Sequence, residues 1–428
     1  MQGVLVDNSY VHLLLYVDDL VLKAKDEKDL QSQLDALDSF SKSLKMEVNM
    51  DKDKMMIVRK NRKKAQANSR NNIVWKIGEK EIKECDSYKY LGVTLKSNGS
   101  FSEHIDKIKE KAQKSYFSLI SKSKEWGGFQ PRLFLYLFDH TIAPILNYAS
   151  EIWGFEEWSK LETLHLKACK YALGVRSNTT TEAVYAELGR VNLQYHRHIN
   201  ILNYFSRVSA LDSERYSSEA FSVLVNDADL GQSNWVSRAR NLQERYEIQQ
   251  SDNRSIIKSK VRKHFESEIL RQLREHIIKD KKLHLYASFK SNFKFEPYLD
   301  YITDFNIRST LAKLRISAHN LQIEAGRFHK NKTPRGERLC IYCKTSNVFQ
   351  VETEVHFLLS CPLFENERRK TLDNIYRTFP STASLNEHDM FIWLMSQEDS
   401  NTTKLLGNFC KKSFELRTKY FNNPNVSK

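Results

Sequence analysis

Two adjacent aspartates, Asp18 and Asp19, interrupt an apolar run that covers residues 13–22. A lone carboxylate inside a strand loses its hydration, so the pair belongs at a turn with the flanking residues as strands. Asp7, Asn8 and Ser9 form an earlier turn signal between the apolar residues 4–6 and 11–16, giving strand, turn, strand, tight turn, strand. At a hairpin apex one carboxylate can face a cleft while apolar flanks anchor it. Hard oxygen donors of this kind suit magnesium, and two-metal phosphoryl transfer needs a further carboxylate position beside them. An ordinary acidic turn carries the same residues, because Asp is common in turns.

The rest of the chain sets that hairpin in an α+β fold. Asp26 can cap a helix whose Leu30, Leu34, Leu37 and Leu44 keep helical spacing. Residues 48–58 are strand-like, 61–72 form a basic loop, and 73–77 and 88–95 are strand candidates around Gly78 and Gly92. From Ser102, taken as a cap, the pattern turns helical: Ile105, Ile108, Ala112 and Leu119 make an apolar stripe with Lys107, Lys111 and Lys114 outside it. Pro131 can open a helix, and another over 156–173 stops at Gly174. Residues 182–210 are mostly helical, 212–234 form a loop, and Val261, Phe265, Ile269, Leu273 and Ile277 mark a further helix. Only 13 Gly and 7 Pro in 428 residues favour helices over a many-stranded sandwich.

Lys and Arg number 67 against 53 acids, a formal charge of +14. Residues 51–70 hold eight basic side chains against two acids, 253–282 ten against four, and 327–338 five against one. Three such runs indicate a polyanionic partner, with nucleic acid ahead of a membrane surface. The apolar run at 13–22 is too short and too charged to span a bilayer, and it lacks a signal-peptide leader. Trp126, Phe129, Trp153, Phe155 and Trp158 lie among the helices, where they either stack on bases or pack against neighbours.

Cys340-x2-Cys343-x12-His356-x4-Cys361 has the spacing of one tetrahedral zinc site. Four protein ligands would close the shell, so the zinc would be structural. Arg335, Arg338 and Lys344 lie nearby and can offset thiolate charge. The alternative is three unrelated buried cysteines and a core histidine. Cys85, Cys169 and Cys410 are isolated packing residues, and the usage as a whole suits a reducing, intracellular compartment, nuclear or cytoplasmic.

Tyr16-Val17-Asp18-Asp19 resembles the Y-x-D-D box of reverse transcriptases, with Val17 where LINE-type elements usually carry Ala. Residues 48–58 resemble the next block of that palm: Lys52 matches the family lysine, and Asp53 stands where Thr or Ser is usual. Residues 87–93 resemble the primer-grip hairpin, in the form typical of LINE-type (non-LTR) retrotransposon polymerases, which assigns the grip to Tyr90, Leu91 and Gly92. Residues 144–154 and 187–190 resemble the thumb region, and 316–327 with 354–362 resemble the C-terminal CCHC segment.

The resemblance implies a partial palm at 1–60, a primer-grip-like hairpin at 61–98, thumb-like helices at 99–210, a basic connector at 211–330, a CCHC module at 331–370 and C-terminal helices at 371–428. It implies Mg2+ on Asp18 and Asp19, a catalytic role for Lys52, and RNA template with DNA primer or target as partners. The family's first catalytic aspartate and its fingers lie upstream of this hairpin and find no counterpart before Met1. The expectation is therefore an N-terminally truncated polymerase that is inactive alone. Its nucleic-acid contacts would include Lys107, Lys111, Lys114, Arg335 and Arg338. A non-catalytic nucleic-acid-binding protein derived from a retroelement is the alternative.

Overall fold

The computed structural model describes residues 3–50, 52–58, 74–280, 282–328 and 332–422. The basic loop expected at 61–72 lies outside these, as do much of the 51–70 run, Ile73, Lys281 and residues 329–331. Short strands occupy the N-terminal hundred or so residues and helices most of the remainder, an α+β class.

Four strands come first: β1 (Val4–Val6), β2 (Ser9–Val11), β3 (Leu13–Tyr16) and β4 (Asp19–Leu22). They form two separate antiparallel ladders, β1 with β2 and β3 with β4. The apolar stretch 11–16 is thus divided at His12, whose carbonyl accepts the Lys23 N–H at 2.8 Å and prolongs the second ladder. Leu15 and Leu20 oppose one another across β3 and β4, and both are exposed. The helix Glu27–Ser43 follows, capped by the Asp26 carboxylate on the Asp29 N–H at 2.9 Å. Its Leu34 is buried with Met55, Trp75 and Ile77, and Leu22, Leu30 and Leu37 pack around them.

Three local expectations are corrected. Residues 48–58 do not form one strand. The Lys52 and Asp53 N–H groups both turn back to the Asn49 carbonyl, and only Lys54–Met55 extends, parallel to Lys83–Glu84. Ser102 is the first residue of the helix Ser102–Glu125 and not its cap, and the Ser100 hydroxyl accepts its N–H at 3.3 Å. Residues 212–234 are not a loop. Tyr216–Asp229 is helical, and Phe221 meets Phe205 edge-on at 5.4 Å. Consecutive Val223, Leu224 and Val225 hide the helical period there.

The chain divides into two compact units. The first comprises Met1–Lys111, Leu146–Trp158 and His196–Val261, and the second Ala112–Ile145, Ser159–Tyr195 and Arg262–Lys428. In the first, Trp153 is buried, with His104 edge-on at 5.6 Å and the Arg197 guanidinium over its ring. In the second, the helix Ser159–Leu173 ends as expected at Gly174. This glycine has φ +67°, and a Cβ there would lie 2.7 Å from the Ser309 side chain.

The second unit is organised around Arg315, which is 5% exposed. Its Nε donates to Glu187 at 2.6 Å, one Nη to Glu296 at 2.7 Å and the other to the Met395 carbonyl. Tyr286 donates to Glu187 at 3.0 Å, and Lys290 pairs with Glu296. Burial would raise the Glu187 carboxyl, but the charges of Arg315 and Lys290 bring it below the usual carboxylate range. Removing one member strands the other charge in the interior. Glu187→Ala should therefore cost about 3–5 kcal/mol in urea unfolding. Glu125→Ala, which breaks an exposed pair with Lys122, should cost about 1 kcal/mol or less.

Candidate functional site

Pairing of Tyr16 with Asp19 leaves Val17 and Asp18 as a two-residue turn between β3 and β4. Val17 has φ +57° and is 83% exposed. A β-branched residue in the left-handed region is strained by about 1–3 kcal/mol, so the apex is held by its flanking ladder and not by local preference. Asp18 and Asp19 are both exposed. Burial raises the Tyr88 phenol, and the carboxylates of Asp53 and then Asp19 raise it further. The β3–β4 hairpin, Asp53 and the hairpin of Ser87–Tyr90 with Val93–Lys96 therefore share one neighbourhood. Asp53 itself is raised by burial, partly offset by Lys54, and its Oδ2 is buried without a hydrogen-bond partner. Lys52 is exposed on the preceding turn.

Two exposed carboxylates with water can hold one magnesium ion. Among the described residues no third His, Cys, Asp or Glu gathers with Asp18 and Asp19 so that all donor atoms lie within 4.8 Å. A second ion would need such a donor.

Tyr90 and Val93 close the 87–96 hairpin around Leu91 (φ +45°) and Gly92 (φ +84°), the turn in which both central residues are left-handed. The Tyr148 hydroxyl donates to the Leu91 carbonyl at 2.9 Å, and a Cβ on Gly92 would lie 2.8 Å from the Tyr148 ring. Tyr148 thus clamps the turn at 90–93. Sequence reasoning noted both segments but not this contact, because nothing in either one signals a partner about 57 residues away.

The cysteine–histidine group is assembled as its spacing implied. One donor atom from each of Cys340, Cys343, His356 and Cys361 lies within 4.8 Å of every other, and all four residues are buried. Cys340 Sγ is 3.9 Å from Cys361 Sγ, and Cys343 Sγ is 3.4 Å from His356 Nε2. These match the edges of a tetrahedron with Zn–S of about 2.3 Å and Zn–N of about 2.0 Å. Cys340 sits just ahead of the short helix Ile341–Thr345, and His356 opens the turn His356–Ser360. Arg368 donates to the carbonyls of Leu358 and Cys361 and fixes the last ligand's backbone. Contact with the Cys361 thiol pulls the Cys340 thiol down, and burial pushes Cys343 up. Cys361 is raised in turn, because it holds the proton that Cys340 shares. A dication bound here would take all three as thiolates and release the protons that Cys343 and Cys361 otherwise keep.

The segment before the cluster is tied to it. The buried Glu354 accepts from His319 at 3.0 Å and from Ser317 at 3.1 Å. Against burial, these contacts hold its carboxyl at about 2. Arg417 grips the buried Glu352 at 2.7 and 2.8 Å. Sequence reasoning missed these supports.

The basic residues divide. Lys111, Lys114 and Arg335 are exposed, and Lys107 pairs with Glu103 at 2.8 Å. Arg338 is half-buried, with Nε on the Thr333 carbonyl and one Nη on that of Ile323. Trp153 and Phe155 pack, Phe155 edge-on to Trp235, whereas Trp126 is 73% exposed. Among the described residues no helix is long and apolar enough to cross a membrane.

Comparison with known families matches residues 1–95 to the family described as reverse transcriptase (RNA-dependent DNA polymerase). No curated protein matched the chain. The matched segment contains Asp18, Asp19, Lys52 and the turn at Leu91 and Gly92. Reverse transcriptases typically use Mg2+ and act on nucleic acid.

Two measurements follow from this geometry. Native mass spectrometry of reduced protein should show one zinc ion per chain, lost in Cys361→Ala; metal-free reduced protein would rule the site out. Gly92→Ala should lower stability by about 1–2 kcal/mol, from the left-handed backbone alone and more from the Tyr148 ring, as read by thermal unfolding.

Proposed function

We propose that the chain is a piece of a LINE-type RNA-directed DNA polymerase that binds RNA template and DNA primer or target but does not polymerise by itself. It would comprise a partial palm at 1–60, the primer-grip-like hairpin at 61–98, thumb-like helices at 99–210, a basic connector at 211–330, a CCHC zinc module at 331–370 and C-terminal helices at 371–428. The observation that carries this reading is the strained turn that sets Asp18 at its tip and Asp19 at its base, in the neighbourhood of Tyr88. The family match over residues 1–95 supports it.

In the family's reaction a primer 3′-hydroxyl attacks the α-phosphate of a deoxynucleoside triphosphate and expels pyrophosphate. Magnesium, when bound, would neutralise the phosphate charge. Asp18 would be its principal ligand and Asp19 would assist near the primer end. Lys52 would give a proton toward pyrophosphate, while Tyr90, Leu91 and Gly92 would seat the primer strand under the Tyr148 clamp. Two exposed carboxylates without a close third donor argue against two-metal turnover by this chain, while exposed cations such as Lys111, Lys114 and Arg335 support strand binding.

The missing third donor and the net charge of +14 also favour a second reading, a non-catalytic nucleic-acid-binding protein derived from a retroelement. Nucleotide incorporation on a primed RNA template with magnesium should be negligible; robust incorporation abolished by Asp18→Ala would overturn the inactive assignment. Mobility shifts should show strand binding that survives Asp18→Ala and Asp19→Ala. That binding should weaken with salt by a log–log slope of about −0.7 per neutralised phosphate on a single strand. Binding that is absent or indifferent to salt would refute both readings.

A further inference from the structure

The loop between the first two cysteines and the histidine carries a surface that metal binding does not require. Residues 344–350 are all exposed, and among them Val348 and Phe349 show 53% and 69% of their surface to solvent. The loop is nonetheless firmly held. The N–H groups of Ser346 and Val348 both donate to the Cys343 carbonyl at 3.0 Å, and that of Cys340 donates to the Gln350 carbonyl at 2.7 Å. Below them Leu339 bridges Val351, and the Glu352 N–H reaches the Arg338 carbonyl at 2.9 Å. An aromatic ring displayed on such a fixed support forgoes the burial that usually stabilises it.

The charges around it select the ligand. The acids Glu352 and Glu354 are buried and matched by Arg417 and His319. What this segment turns outward is Lys332, Arg335 and Lys344 against Glu337. An exposed aromatic ring on a loop that also carries the exposed Lys344, Ser346 and Asn347 is what a single-stranded nucleic acid requires. The ring takes a base, the cations take the backbone, and polar groups reach phosphate and sugar.

We propose that Phe349, with Val348 beside it, is a stacking platform for an unpaired nucleobase, presented by the loop that the Cys340–Cys343 knuckle holds in place. This rests on the nucleic-acid reading above and names the contact and the strand type. It also makes strand binding depend on the metal, because the Cys343 carbonyl that anchors the loop belongs to a ligand of the cluster.

The test uses the full chain, with fluorescence anisotropy of a labelled single-stranded oligouridylate and of a matched duplex, and zinc measured on every variant. Phe349→Ala should weaken single-strand binding about tenfold, leave duplex binding and zinc content unchanged, and be rescued by Phe349→Trp. Chelation should lower single-strand affinity to at least the same extent. Unchanged single-strand affinity in Phe349→Ala, or an equal loss for both strands, would overturn the proposal while the nucleic-acid reading stands. So would zinc loss in that variant, or an effect confined to sedimentation, which would assign the tip to a protein contact. A parent chain that binds neither strand would defeat the underlying reading itself.

Discussion

A single buried guanidinium organises the second unit. Arg315 joins residues at 187, 296 and 395 through its three nitrogens, while Phe289 and Tyr298 cover its faces. Guanidinium can do this because its planar fork offers directed donors in several directions at once and keeps its charge when buried. Segments far apart in the chain are thereby fixed to one point. Such an arrangement contributes less net stability than specificity of arrangement, since the desolvation of four charged groups offsets much of their attraction.

Several segments that resemble polymerase motifs turn out to be structural fasteners. Glu187 holds Arg315, Gly189 passes so close to Phe295 that a Cβ would meet its backbone nitrogen at 2.5 Å, and Arg190 takes both oxygens of Asp139. Tyr148 clamps the turn at Leu91, and His319 holds Glu354 two residues ahead of the cluster histidine. In this structure these residues serve to keep the scaffold assembled. The proposed chemistry rests on a smaller set: two carboxylates on one strained apex, with four buried donors in one knuckle for a structural ion.

What was legible in the sequence was whatever local spacing determines. Asp18 and Asp19 at a hairpin tip, Asp26 as a cap, Pro131 at a helix start, Gly174 at a helix end and the Cys340-to-Cys361 cluster all follow from short-range pattern and stand in the structure. The helix at Tyr216–Asp229 was obscured because its apolar residues are consecutive, and the strand expected over 48–58 because Asn49 draws the chain into a turn. The partners of Arg315, Tyr148 and Glu354 were invisible for another reason. Each pairing spans 19 residues or more, and a single sequence carries no local trace of such a contact. Burial, likewise, separated Trp153 from Trp126, two residues of identical type and similar setting in the chain.

The two N-terminal hairpins have a practical corollary. Each is an isolated pair of short strands, and Leu15 and Leu20 lie bare on the outside of the second. Unsatisfied backbone edges flanked by leucines are templates for lateral pairing between molecules, opposed here mainly by the charge of Asp18, Asp19, Lys23 and Lys25. Those four charges sum to zero, so the brake is the cost of stripping their water and not repulsion between molecules, and added salt leaves it largely in place.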